Sequence, residues 1–101
     1  MDELIQALNT TGYKFAHFGW SKAPHGDYGV YAEDGENALE ANNVHVESVL
    51  QGTVDYFTRD ASDTPRTTIE AALNGVCAWY LNSIQFEDDT GYIHYEWVFE
   101  V

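Results

Sequence analysis

Positive charge is scarce in this chain. Four cations, Lys14, Lys22, Arg59 and Arg66, stand against seventeen acidic side chains, for a formal net charge of -13 on 101 residues. Gripping a nucleic-acid backbone takes clustered cations that displace condensed counterions. Four scattered ones exclude that mode of binding. Such a charge instead repels DNA, keeps the chain soluble, or meets a basic partner by long-range attraction. Cysteine is nearly absent too: the single Cys77 cannot close an internal disulfide, and its place in an apolar helical pattern predicts a buried, inert thiol. Long apolar runs are missing, and the opening Met1-Asp2-Glu3-Leu4-Ile5 has no cationic start, so neither export nor a membrane span is expected and a cytosolic protein is. No glycine-rich phosphate loop, paired CxxC or HExxH helix occurs. No cofactor, metal or catalytic residue is therefore expected, and the chain reads as non-enzymatic.

What is present is the material of a core. The chain is 45% hydrophobic and 15% aromatic, which a disordered acidic tail would not be, and its length suits one domain over residues 1–101. Residues 2–9 carry Leu4, Ile5 and Leu8 on one helical face, with acids in the first turn. Residues 13–20 and 28–32 read as strands that pair in a hairpin across a loop with Pro24 and Gly26, and the acidic stretch 33–43 as a solvated loop. Residues 44–59 are long for one strand, and Gly52 predicts two halves meeting at a bulge or bend. Thr64-Pro65 marks a helix start, and Ile69, Leu73, Val76 and Tyr80, flanked by Ala72 and Cys77, form a stripe wide enough to lie across a sheet. Gly75 within that helix predicts close approach of a neighbouring backbone. Residues 83–87 and 92–101 flank Asp88-Asp89-Thr90-Gly91 as a hairpin. In its second strand Ile93, Tyr95, Trp97, Phe99 and Val101 alternate with Tyr92, His94, Glu96, Val98 and Glu100, and the aromatic set should meet the helix. The fold class is α+β: an antiparallel β-sheet with a long helix packed on one face and a short N-terminal helix.

One constellation could carry metal chemistry. His45 and Glu47 alternate onto one strand face and His94 and Glu96 onto another, and four such ligands would suit zinc if the strands were neighbours. The bland alternative places both pairs on the solvent side of an amphipathic sheet. The aromatic clusters Tyr13-Phe15-Phe18-Trp20 and Tyr92-Tyr95-Trp97-Phe99 lack the positive groove of a base-stacking platform. They suit a core, with any surplus at a subunit interface.

The order and wording of these segments resemble a family. Gly12-Tyr13-Lys14-Phe15-Ala16-His17-Phe18, Tyr28-Gly29-Val30-Tyr31, Glu40-Ala41-Asn42-Asn43-Val44, Val54-Asp55-Tyr56-Phe57-Thr58-Arg59, the Ile69-Glu70 helix and the closing Tyr95-Glu96-Trp97-Val98 look like the tail terminator, or tail completion, proteins of long-tailed bacteriophages and prophages. The resemblance spans nearly the whole chain and rests on no single diagnostic motif. It implies a small α/β subunit that forms a ring, typically a hexamer, caps the tail tube and meets head-completion proteins at the tail-head junction after assembly in the host cytoplasm. Glu47, Asp55, Glu96 and Glu100 are the candidates for a negative lining of the ring's channel. The alternative is an acidic DNA mimic that occupies the basic cleft of a DNA-binding protein.

Overall fold

The protein is described by a computed structural model that covers residues 1–37 and 49–101. Leu4 and Leu8, one helical turn apart, are fully buried and fix the inward face of α1 (Asp2–Thr10), whose first turn carries Asp2 and Glu3. Pro65 opens α2 (Thr64–Asn74), where its missing N–H is no loss, and Ile69 and Leu73 are the turn-spaced pair that this helix buries. Five strands follow the alternating stretches: β1 (Phe15–His17), β2 (Tyr28–Asn37), β3 (Val49–Thr58), β4 (Ala78–Phe86) and β5 (Ile93–Glu100). They form one sheet in the order β1-β2-β3-β5-β4.

Both helices press on the same face of that sheet. Leu4, Leu8, Ile69 and Leu73 meet Val54, Tyr56, Tyr95, Trp97 and Phe99 in a single core. The alternation along β5 thus points its aromatics at the helices as expected, with Tyr95, Trp97 and Phe99 buried. Trp97 is fully buried and its indole N–H donates to Glu70 Oε2 at 3.0 Å, the oxygen that also accepts from Arg66 Nε at 3.0 Å. Glu70 therefore ties the helix surface to the core's largest side chain.

The α+β class holds, with five local corrections. The sheet is mixed, because β1 runs parallel to β2 instead of forming a hairpin with it. The second helix is shorter than its apolar stripe: it ends at Asn74, Gly75 caps it, and Val76, Cys77 and Tyr80 lie beyond. A Cβ on Gly75 would meet nothing within 4 Å, so close approach is not its role. Cys77 is half-buried, with its thiol directed to the Leu73 carbonyl, and burial raises its pKa, which keeps it protonated as an inert thiol would be. Residues 49–58 form one continuous strand, and the irregularity lies across from Gly52, on β2 between Glu33 and Gly35. Residues 33–37, expected in a loop, belong to β2, while the rest of that expected loop lies outside the described residues.

Parallel neighbours normally need a long crossover. Here the ten residues 18–27 suffice because the loop is bonded down at several points. Trp20 Nε1 donates to the Gly29 carbonyl, Tyr92 Oη to the carbonyls of His25 and Gly26, and Arg59 to those of His25 and Thr90. The Arg59 guanidinium also lies 4.0 Å over the Tyr92 ring. This one cation fastens the loops at that end of the sheet.

Candidate functional site

Neither helix covers the second face of the sheet, and its side chains follow from period-two alternation. Register places them in rows that cross the strands. Val30, Asp55, Glu96 and Ser83 make one row, and Tyr28, Phe57, His94 and Gln85 the next. The second row is an aromatic stack: Tyr28 lies 4.7 Å from Phe57, and Phe57 4.2 Å from the His94 ring, all nearly parallel.

His94 joins the two rows. Its Nε2 is 2.7 Å from Asp55 Oδ1 and its Nδ1 3.8 Å from Glu87 Oε2. The bond to Asp55 raises the imidazole above its ordinary pKa of 6.5, burial opposes this, and the charges of Asp55, Glu87 and Glu96 add to the rise. Glu96 accepts a hydrogen bond from Asn82 Nδ2 at 2.6 Å. Glu100 is exposed at the far end of β5, between Gln51 and Ala78.

Three of the four lining candidates, Asp55, Glu96 and Glu100, therefore share this face, and Asp55 and Glu96 are direct cross-strand partners. Glu47 lies outside the described residues. So do His45 and Glu47 of the zinc reading, and among the described residues no group of three or more His, Cys, Asp or Glu is placed to hold a metal. The Asp55–His94 pair went unread in the sequence because it is diagonal: His94 faces Phe57 in register, and only the pairing of β3 with β5 brings the imidazole to Asp55. On the helix-bearing face a second pair, His17 with Glu33, holds the Glu33 carboxyl below its ordinary range through their hydrogen bond. The first aromatic cluster divides: Tyr13 and Phe15 pack on Tyr56, while Phe18 is 67% exposed.

The raised pKa of His94 carries a pH dependence of stability. A group bound more tightly by protons in the folded state stabilises fully below its unfolded pKa, and that contribution is lost as pH rises through the folded value. Urea midpoints should therefore fall as pH rises from about 6.5, and His94→Gln should remove that part of the slope. An identical slope in the variant would mean that the Asp55 contact contributes nothing.

No helix among the described residues is long and apolar enough to cross a membrane. No family model and no curated protein matches the sequence.

Proposed function

We propose that this chain is a non-enzymatic structural subunit of a virion, assembling with copies of itself into a ring that caps a phage-type tail tube and joins it to the head. The observation that carries the reading is the sheet with both helices on one face and the acids Asp55, Glu96 and Glu100 on the other. In a ring built with the helices outward, the open face lines the channel. Carboxylates there repel phosphate over a screening length of about 8 Å in physiological salt, so DNA passes without adhering. The wording of the sequence, which resembles tail terminators along nearly its whole length, supports the same reading. The alternative, an acidic DNA mimic, would present the same carboxylates to the basic cleft of a DNA-binding protein.

A net charge of -13 opposes association at low ionic strength. The protein should be monomeric in dilute, low-salt buffer and close into rings as salt and concentration rise. Sedimentation and electron microscopy across that series check the expectation, with duplex DNA added to the rings. Wild-type rings should not retain DNA, and rings of Glu96→Lys/Glu100→Lys should. A dimer of fixed size under every condition, or a stable complex with a basic DNA-binding protein in place of rings, would favour the mimic.

A further inference from the structure

The large apolar side chains left exposed among the described residues are Phe18, Tyr80, Ile84 and Phe86, at 67%, 57%, 50% and 65%. Three are on β4 and the fourth directly follows β1. These two strands are the opposite edges of the sheet. Edge strands are normally blunted by charge or proline because they offer unpaired backbone groups. β4 has neither: residues 71–86 contain no charged side chain, in a chain where the charged types make up 21%. This is the stretch where a second copy of so acidic a chain meets least repulsion.

Phe18 is held outward at a conformational cost. It is the one non-glycine residue with positive φ among those described, at 66°, fixed by its N–H to the Tyr31 carbonyl at 2.8 Å, with its ring stacked outside His17 at 4.1 Å. Folding alone gains little from an exposed ring in a strained backbone.

We infer that β4 of one copy pairs antiparallel with β1 of the next, so that the sheet runs on from subunit to subunit; this rests on the ring reading above. Within one chain β1, β2 and β5 run one way and β3 and β4 the other. Rotation about an axis along the strands preserves each direction, so β4 meets the neighbour's β1 as an antiparallel partner. That orientation sets the end of β4 carrying Ile84 and Phe86, followed by the acids Glu87, Asp88 and Asp89, beside the exposed cation Lys14 that precedes the neighbour's β1. It covers apolar side chains at both edges, whereas a two-fold pairing of β4 with itself leaves Phe18 in water. Such a head-to-tail contact repeats around a rotation axis and makes a ring where the rotation closes.

Two edge-blocking variants test this, under conditions where the wild type forms rings. Phe86→Lys blocks β4 while lowering the net negative charge, so reduced solubility or added repulsion cannot mimic its effect. Phe18→Asp blocks β1 with a residue that tolerates positive φ. Each alone should lose every species larger than the monomer in sedimentation, with circular dichroism unchanged. Mixed in equal amounts they should form one species of twice the monomer mass, because each retains one intact edge. Rings that survive either substitution, a dimer of Phe18→Asp alone, or no dimer in the mixture would overturn the seam and leave the ring reading standing. A wild type that stays monomeric throughout overturns both. Should Phe86→Lys fail to fold, Ile84→Lys replaces it.

Discussion

Gly52→Ala should destabilise the protein by at least about 3 kcal/mol, beyond the usual range for overpacking. Gly52 sits in the middle of β3, between β2 and β5. A Cβ there would strike the Ala32 carbonyl oxygen, and would come within 2.7 Å of the Phe99 ring and 2.8 Å of Glu33 Cα. Two of those three obstacles are backbone, which cannot turn aside as a side-chain tip does. The register of β2 shifts beside this point, between Glu33 and Gly35. Gly75→Ala is the control: open space surrounds it and its φ is -87°, so it should be neutral or stabilising by up to about 1 kcal/mol. Urea denaturation of both variants decides. Equal midpoints for the two would mean that β2 yields at this point.

Trp97→Ala should cost about 3–5 kcal/mol, the range for truncating a large buried aromatic. Trp97 is fully buried, stacks on Tyr95 at 5.6 Å, and supplies one of the two donors to Glu70 Oε2. Removing it opens a cavity under α2 and leaves that partly buried carboxylate with Arg66 alone. Since a domain of this length is stable by about 5–15 kcal/mol in total, the loss is a large fraction of it. Trp97→Phe, which fills most of the volume but donates nothing, should fall between wild type and alanine. A loss under about 1 kcal/mol for the alanine variant, as at surface positions, would place the centre of the core elsewhere.

These two residues also mark the limits of what the sequence discloses. Trp97 was legible: acids and a histidine alternate with aromatics along 93–101, and such a pattern permits one period and one buried face. The hairpin at 88–91 was legible for the same local reason, since Gly91 adopts φ 76°, which glycine accepts without strain. The end of α2 was misread because Val76 and Tyr80 happen to extend the helical spacing of Ile69 and Leu73. The competing signal was Gly75 followed by Trp79-Tyr80-Leu81, a cap followed by strand-favouring residues. The partner of β1 was legible as β2, but the direction of the pairing was not. Its parallel pairing depends on bonds from Arg59 and Tyr92, far along the chain, that hold the 18–27 loop. At the candidate site, alternation put Asp55, Glu96 and Glu100 on strand faces, but which strand lies beside which decides that Asp55 meets His94.

The strand order also fixes how the sheet is best assembled in time. β4 and β5 are joined by a short turn, whereas β3 and β5 close a loop that holds all of α2 and β4. Closing a loop costs entropy that rises with its length, and contacts distant in sequence slow folding. The hairpin and the helix need only local contacts, whereas the pairing that buries Val54 and Tyr56 against Tyr95 and Trp97 needs that closure. Until β3 arrives, β5 has a bare flank, and the -13 charge carried by every copy keeps such chains apart in solution. Acidity of this size acts on unfinished chains as much as on folded ones, and holds them from pairing with each other.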